Sequence, residues 1–274
     1  MEEKSRLINL KSQLNQLLND CSEIIKKHVS DPQTRLDFES RIFAERLKND
    51  LLLTRKYLTK NTKNTILDIG CGKGHISLLL ASLGFSVCGI DIEKTKGEQL
   101  ELQKNKWQKN IWQELESSYR CFTLKYLFYD GRKIPFCDKS FDAVMAYAVI
   151  EHVDDIDKFL LETNRILRNG GLLFIFMCPR KQAVIEHIAR LLKLPHHEKL
   201  VDERDMIEKL NINRFQIMNI KHSDLIPAFP PLQLQTFWNH NFKVLVALDS
   251  LFLKTSLKYI SHHVNIVSKK IDDC

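Results

Sequence analysis

The sequence lacks any hydrophobic run long enough to cross a bilayer, which takes about 20 apolar residues. Its two most apolar runs are short, at 171–178 and 244–253. We interpret the first as a core strand and the second as a buried helix. The N-terminus is not followed by the apolar stretch of a secretion signal. These absences predict a soluble chain rather than a membrane-spanning one.

Paired cysteines are missing as well. The seven cysteines, at positions 21, 71, 88, 121, 137, 178 and 274, form no CxxC pair. A cysteine-based zinc or redox motif is therefore not expected, and the scattered set is typical of a reducing cytoplasm. The net charge of +7, from 41 basic and 34 acidic residues, permits an anionic partner but does not require one.

Neither an internal repeat nor a low-complexity linker divides the 274 residues, which suit one large domain with appendages. We divide the chain into an N-terminal helical extension at 1–60, a core at 61–180, and further helices and closing strands of the same domain at 181–274. In the extension, helices are predicted over 4–29 and 34–58, with a break at Asp31-Pro32.

An apolar stripe runs along the first predicted helix. Its members recur at steps of three and four residues: Leu7, Leu10, Leu14, Leu17, Cys21 and Ile24. Because the stripe is shorter than four heptads, packing on its own domain is favoured over a coiled coil. Pairing with a second subunit to form a homodimer stays the alternative.

From Thr65 the pattern alternates between strand and helix. Strands are predicted at 65–69, 85–90, 122–129, 141–147, 172–177, 215–226 and 262–268. Helices are predicted at 75–83, 93–117, 154–168, 181–192 and 203–210, with a largely apolar helical region at 232–259. Such strand–helix–strand units predict a mostly parallel sheet, closed by a last hairpin whose connection is expanded.

A glycine-rich turn follows the first predicted strand, with the pattern Asp68-x-Gly70-x-Gly72-x-Gly74. Glycines let the backbone turn sharply and approach a ligand closely. The helix that follows directs free N–H groups at the ligand, which favours a carboxylate or a phosphate. Asp91, at the end of the next strand, can accept both ribose hydroxyls of a nucleoside. Singly, the glycines also fit a plain tight turn and Asp91 a helix N-cap.

The spacing of this turn argues against a dinucleotide. A dinucleotide loop, G-x-G-x-x-G, would place its third glycine at position 75, where the sequence has His75. The turn therefore favours a cofactor whose amino-acid end lies on the loop.

These residues resemble the class I S-adenosylmethionine-dependent methyltransferases, and most of all the branch that includes ubiquinone- and menaquinone-biosynthesis methyltransferases. The resemblance covers about residues 60–178 and is carried by segments 68–74, 87–91, 130–136, 140–144, 149–153 and 165–171. It implies a Rossmann-like α/β fold. The sheet would have seven mostly parallel strands with helices on both faces, an N-terminal helical extension, and a helical insertion before the last strand.

The same resemblance implies S-adenosylmethionine as the cofactor and assigns residues to it. Gly70 and its neighbours would contact the methionine part, Asp91 the ribose, and Asp130 the adenine amino group, with Tyr147 near the methionine end. The full set of expected cofactor-binding residues is Asp68, Gly70, Cys71, Gly72, Gly74, Asp91, Ile92, Asp130, Gly131 and Tyr147.

No metal site is predicted. In some quinone methyltransferases a Glu three positions before the Glu-His pair helps to hold a divalent ion, but here that position is Ala148, before Glu151-His152. Helix-entry packing is the favoured role for the pair. The Asp/Asn-Pro-Pro-aromatic motif of enzymes that methylate base amines or glutamine amides is also absent, since residues 146–149 read Ala-Tyr-Ala-Val.

Histidines after the fifth strand are the candidates for catalysis. A hydroxyl or phenol acceptor benefits from a general base of near-neutral pKa, which suits histidine. His196 and His197 lie in the region that usually covers the acceptor, so they are the predicted catalytic residues, with solvated loop positions as the alternative. His222 and His240 are weaker candidates.

The insertion at 228–260 is the main clue to the acceptor. It is rich in apolar bulk: Phe229, Pro230, Pro231, Leu232, Leu234, Phe237, Trp238, Phe242, Leu245, Leu248, Leu251, Phe252 and Leu253. A lid over a small, partly apolar or lipid-like acceptor, with peripheral membrane contact, is one interpretation. Burial on the core or in a dimer contact is the other.

Two further function classes stay open. An RNA or protein methyltransferase is one, suggested by the basic balance of the chain, which includes Arg55, Lys56, Lys60, Lys63, Lys94, Lys96, Lys104, Lys106 and Lys109. Nucleic acid is nevertheless not the expected partner, because such lysines more often form a solvated helix face. A non-catalytic partner protein with the same fold is the other, and the intact loop argues against it.

Overall fold

A computed structural model describes residues 2–29, 40–58, 64–93, 99–194, 196–230 and 234–271. The predicted break at Asp31-Pro32 lies outside these residues, as do Pro231, Leu232 and the first residues of two predicted helices, at 34–39 and 94–98.

Seven strands form one sheet. They are β1 (Thr65–Ile69), β2 (Ser86–Ile92), β3 (Leu124–Tyr129), β4 (Phe141–Tyr147), β5 (Leu167–Pro179), β6 (Phe215–Ser223) and β7 (His263–Lys270). Their order is β3-β2-β1-β4-β5-β7-β6. The first five strands are mutually parallel, whereas β7 runs antiparallel to both β5 and β6. The prediction of a mostly parallel, seven-stranded sheet closed by a hairpin is confirmed.

Helices cover both faces of this sheet. They are α1 (Glu2–His28), α2 (Arg41–Leu58), α3 (His75–Ser82), α4 (Gln99–Ser118), α5 (Ile156–Ile166), α6 (Val184–Leu191), α7 (Glu203–Ile212), α8 (Gln235–His240) and α9 (Phe242–Phe252). The apolar residues of α1 to α4 form one core cluster with one face of the sheet, and those of α5 and α7 form a second cluster with the other face. Successive strand residues such as Ile66 and Leu67 enter opposite clusters, as the two-residue period of a strand requires.

The N-terminal extension shares the core of the domain. Leu14, Cys21 and Ile24 of the predicted stripe are buried against their own chain, while Leu7 is 45% exposed. In the structure, most of the apolar stripe of α1 therefore packs on its own domain. A homodimer through this stripe stays a prediction, but its buried members are not available to a second subunit.

The fifth strand begins earlier than expected. Helix α5 ends at Ile166 instead of 168, and Leu167 pairs directly with Phe141. The register then shifts so that Leu172 pairs with Ala143, which leaves residues 168–171 as a bulge. Gly170 turns this bulge with φ +70°, a left-handed conformation that glycine adopts without strain. The Gly-Gly pair therefore marks a bulge within a strand and not only the stop of a helix.

The apolar insertion is not buried on the core. Its helices α8 and α9 bury a single residue, Asp249, and several of their apolar side chains are exposed, with Phe237 57%, Val244 60% and Leu251 57% exposed. The interpretation of 244–253 as a buried helix is therefore wrong. Core burial is also ruled out for most of this surface. Over the described part of the chain, no helix combines the length and hydrophobicity needed to span a bilayer.

Candidate functional site

The glycine loop after β1 depends on three left-handed residues. Gly70, Gly72 and Gly74 have φ values of +67°, +51° and +81°. A Cβ on Gly70 would lie 2.7 Å from Val149 Cγ2, and one on Gly74 would lie 2.8 Å from the ring of Tyr126. At Gly72 the position of a Cβ is open, with only the Gly70 carbonyl oxygen at 4.0 Å. Two glycines are thus needed for packing, and the middle one faces free space.

The middle of the loop is tied to the neighbouring strand and helix. The Gly72 amide donates to Asp91 Oδ2 at 2.9 Å. The Gly72 carbonyl accepts from Gln108 Nε2 at 2.8 Å and from Trp112 Nε1 at 2.9 Å, both on α4. Sequence analysis missed Gln108 and Trp112. Their spacing of four residues puts them on one helix face, but nothing in that spacing points to a glycine loop.

Asp91 is largely engaged by the protein. Its Oδ2 accepts from Gly72 and from Gln108 Nε2 at 2.8 Å, and its Oδ1 accepts from the Ile92 amide at 2.7 Å. A carboxylate has about four lone-pair sites, so roughly one site remains, on Oδ1. In this arrangement Asp91 has room for one ribose hydroxyl, whereas the sequence predicts two.

Asp68 and Cys71 are buried behind the loop. Asp68 Oδ2 accepts from Ser77 Oγ at 2.6 Å, which fixes the first turn of α3 to β1. Burial raises the pKa of Asp68 to about 7, against the opposing effect of the Ser77 hydrogen bond. Burial likewise raises the pKa of the Cys71 thiol well above its usual value. Both side chains shape the loop from below, and the protonated thiol has no nucleophilic character.

The residues predicted to hold the adenine lie at the ends of β2 and β3. Asp130 Oδ1 accepts from the Arg132 amide at 2.9 Å, and this bond is the main cause that lowers the pKa of the exposed carboxyl. Gly131 has φ +75°, and a Cβ on it would lie 3.1 Å from Ile92 Cδ1. Ile92 is 45% exposed. These residues form an open, half-apolar edge of the kind that suits an aromatic base.

Tyr147 lies at the end of β4 beneath the N-terminal extension. Its hydroxyl is 3.4 Å from Asp50 Oδ2 of α2, and Asp50 Oδ1 accepts from Asn265 Nδ2 of β7 at 2.9 Å. Burial raises the pKa of Asp50 to about 7. The next residue, Ala148, has φ +54°, a strained conformation of the kind found at functional sites. Asp50 was missed because its contacts span almost 100 residues or more.

His196 and His197 have different surroundings. His196 is exposed, and its Nδ1 lies 2.8 Å from the Leu194 carbonyl oxygen. His197 Nδ1 lies 2.8 Å from Glu186 Oε1, which is also 2.6 Å from His262 Nε2. One nitrogen of each of these two rings and a carboxylate oxygen of Glu186 lie within 4.8 Å of one another. Of the two predicted catalytic residues, only His197 belongs to a cluster.

The groups of this cluster perturb one another. Burial, then the neighbouring His263, lowers the pKa of His262 to about 4. Burial pushes the pKa of Glu186 upward, but hydrogen bonds from the His197 ring and amide bring it below its usual value. At neutral pH the cluster therefore carries an ionised carboxylate beside a neutral His262 ring.

Glu151 and His152 form a short 3-10 turn with Ile150 after β4. Glu151 is only 6% exposed, and among the described residues its Oε2 has no hydrogen-bond partner. His152 is exposed. A buried carboxylate oxygen without a hydrogen-bond partner is a cost to stability, which a bound ligand or water would remove.

All these groups lie at one edge of the sheet. The parallel strands β1, β2, β4 and β5 end there, and β7 begins there, because His263 pairs with Pro179 at the end of β5. The carboxyl edge, where open α/β sheets bind ligands, therefore holds the glycine loop, Asp91, Tyr147 and the group of Glu186, His197 and His262.

Comparison with known proteins gives matches to methyltransferases. A family model described as methyltransferase domain matches residues 67–175. The ubiquinone biosynthesis O-methyltransferase of Pelagibacter ubique is 31% identical over 170 residues, covering 59% of this chain and 64% of the relative. The mitochondrial ubiquinone biosynthesis O-methyltransferase of Candida albicans is 28% identical over 214 residues, covering 72% of this chain and 62% of the relative. The chain thus spans less than two thirds of these relatives.

A solved structure gives the same fold. The SAM-dependent methyltransferase of Methanosarcina mazei superposes with a TM-score of 0.53 at 19% identity, covering 81% of this chain and 98% of that protein. At this identity the likeness concerns the fold alone.

Proposed function

We propose that this chain, whose residues 67–175 match a methyltransferase-domain family, is a class I S-adenosylmethionine-dependent methyltransferase that transfers a methyl group to a small, partly apolar acceptor. The cofactor, when bound, supplies an activated methyl group for an in-line displacement. The protein then has to align the acceptor and exclude water.

The observation that supports this proposal best is the open backbone at Gly72. A glycine that needs no side-chain space for packing, in a loop held by Asp91 and α4, leaves room for the cofactor's amino-acid end. Asp91 would hold the ribose through its remaining lone-pair site on Oδ1. Asp130, Gly131 and Ile92 would hold the adenine at the open edge beside them.

The acceptor class is inferred from an apolar surface at the carboxyl edge. Helix α6 follows β5 there, and the insertion leaves β6 at the same edge, because Ser223 pairs with His263. The exposed apolar side chains of α6 and those of the insertion helices form two groups at this edge, which we together call the insertion surface. Its exposed apolar side chains include Ile188 at 45% and Leu191 at 82% on α6, and Phe237 at 57% on α8. Patches of this kind bind apolar ligands or membranes. A lipid-like acceptor, met at a membrane surface, is therefore our proposal.

A hydroxyl is the acceptor group that fits this setting. The two relatives carry names that assign O-methylation in ubiquinone biosynthesis. The predicted role of His197 at the acceptor, with Glu186 to orient it, stays a prediction. We also propose a cytoplasmic location, in line with the free state of Cys21, Cys71 and the other described cysteines.

The test combines binding and transfer. Calorimetry should detect S-adenosylmethionine binding, and transfer of a labelled methyl group should appear in lipid or quinone-precursor fractions. Labelling of RNA, protein or polar metabolites instead would overturn the acceptor class. Absence of cofactor binding would favour a non-catalytic partner protein. An Asp91→Ala variant controls for label that is transferred without this site.

A further inference from the structure

We propose that Glu186, His197 and His262 bind a divalent transition-metal cation such as Zn²⁺. This trio, here called the Glu186 cluster, supplies two imidazole nitrogens and one carboxylate oxygen, all within 4.8 Å of one another. Two histidines and one carboxylate make up a common three-ligand set for Zn²⁺. Sequence analysis predicts no metal site, and it could not have found this one because its members lie up to 76 residues apart.

Both ring nitrogens approach the same oxygen of Glu186. Oε1 of Glu186 lies 2.8 Å from His197 Nδ1 and 2.6 Å from His262 Nε2. Ligands at 2.0–2.2 Å from a tetrahedral Zn²⁺ are roughly 3.3 Å apart, so these two separations need to open by only about 0.5–0.7 Å. His197 stands on a loop with its side chain 32% exposed, which gives it freedom to adjust.

The ligand atoms are held by contacts behind them. The other oxygen of Glu186, Oε2, accepts the His197 backbone N–H at 2.9 Å, so the carboxylate fixes the loop as well. The His262 ring stacks on His263 with 3.7 Å between ring centroids, and His263 Nδ1 lies 2.5 Å from buried Asp224 Oδ2. Such support orients ligands in metal sites.

The donor set selects the kind of cation. Imidazole nitrogen suits Zn²⁺, Fe²⁺, Ni²⁺ and Cu²⁺, whereas Mg²⁺ and Ca²⁺ prefer oxygen ligands. Three protein ligands leave at least one coordination position open, as in catalytic rather than structural zinc sites. A bound cation would occupy Nδ1 of His197, so this inference replaces the general-base role predicted for that ring.

The experiment measures metal binding on the untagged, chelator-treated full chain. We expect Zn²⁺ to bind stoichiometrically in calorimetry. Glu186→Gln and His262→Gln should each weaken that binding by more than tenfold. His196→Ala is the matched control, because His196 adjoins His197 but bonds only to the Leu194 carbonyl among the described residues. Its affinity for Zn²⁺ should equal that of the parent.

A spectroscopic readout covers the risk that a variant misfolds. Co²⁺ in a tetrahedral nitrogen–oxygen site absorbs visible light, and this band should appear with the parent and with His196→Ala but not with Glu186→Gln. Thermal unfolding in chelator shows whether Glu186→Gln is folded, and His197→Gln provides a second variant with a more exposed ligand.

Three results would overturn the proposal: no Zn²⁺ binding by the parent, equal binding by all variants, or preferential binding of Mg²⁺. The measurement uses neither S-adenosylmethionine nor an acceptor. Failure of the methyltransferase proposal therefore leaves this test intact, and failure here leaves methyl transfer intact.

Discussion

The backbone amide of Gly72 donates a 2.9 Å hydrogen bond to Oδ2 of Asp91. This bond joins the loop after β1 to the carboxyl end of β2, so the two parts of the site predicted for the methionine and the ribose are held as one unit. Gln108 strengthens this connection, because its Nε2 donates to both the Gly72 carbonyl and Asp91 Oδ2.

Replacement of Asp91 by alanine should therefore weaken cofactor binding. It removes a carboxylate hydrogen-bond acceptor worth about 1.5–3 kcal/mol, which corresponds to roughly a 10- to 150-fold loss of affinity. Calorimetric titration with S-adenosylmethionine measures this loss of affinity. Glu93→Gln is the matched control, since Glu93 is an exposed acid two residues further on and should leave the affinity unchanged. Equal losses in both variants would refute a specific role for Asp91.

The three loop glycines should differ in what they tolerate. Gly72→Ala meets only left-handed strain, about 1–2 kcal/mol, because no atom lies closer to its Cβ than 4.0 Å. Gly70→Ala adds a collision at 2.7 Å with Val149, so its loss of unfolding free energy should be larger by about 1–3 kcal/mol. Urea unfolding measures both. Adding Val149→Ala to Gly70→Ala should recover the steric part, and no recovery would contradict this account.

Much of the fold was predictable because its signals are local. Strand periodicity, the glycine turn at its position after β1, and Asp91 at the end of β2 each follow from a few neighbouring residues. The match of residues 67–175 to a methyltransferase-domain family agrees with the family inferred from them. The roles of the individual site residues stay predictions.

The rest depends on contacts between distant residues. Asp50 reaches Asn265 across 215 positions, and Glu186 meets His262 across 76. No spacing rule links such pairs, because tertiary packing alone brings them together. The apolar insertion is a different case. Its helices were predicted from the sequence pattern, but the burial inferred from its hydrophobicity was wrong.

Arg46 should be a key residue for holding the insertion. It is buried, with ion pairs at 2.5 Å to Asp224 and 2.9 Å to Asp249. Arg46→Met removes the guanidinium from two buried carboxylates, of which Asp224 keeps its contact with His263, and should cost about 3–5 kcal/mol in unfolding free energy. Arg41→Met is the control on the same helix, where loss of an exposed contact with the Phe242 ring should cost no more than about 1 kcal/mol. Denaturant unfolding measures the loss of unfolding free energy in both variants. Equal losses in Arg46→Met and Arg41→Met would contradict the prediction.

Asp50 should make stability fall as pH rises. Its pKa in the folded chain is about 7, above the ordinary 3.8, because of burial. The folded state therefore binds the proton more tightly. The contribution is fully present below about pH 4 and is lost as pH rises through about 7, at up to roughly 1.4 kcal/mol per pH unit. Asp50→Asn removes it, so the difference in unfolding free energy between variant and parent should increase over this range.

A difference between Asp50→Asn and the parent that does not change with pH would contradict this prediction. It would show that the Asp50 carboxyl does not hold its proton more tightly in the folded chain than in the unfolded one.

The insertion surface should bind membranes through α6. Leu191 is 82% exposed at the carboxyl edge, and burying a leucine in an apolar phase contributes about 1.5–3 kcal/mol. Leu191→Glu should therefore reduce cosedimentation with anionic phospholipid vesicles by tenfold or more. Ile212→Glu is the control: Ile212 is 69% exposed, but it precedes β6 at the opposite edge, where Phe215 pairs with Lys270. Both positions are exposed, so neither variant should lose stability. Unchanged vesicle binding by Leu191→Glu, or an equal loss in Ile212→Glu, would rule out this surface as a membrane contact. The surface would then be assigned to binding an apolar acceptor from solution.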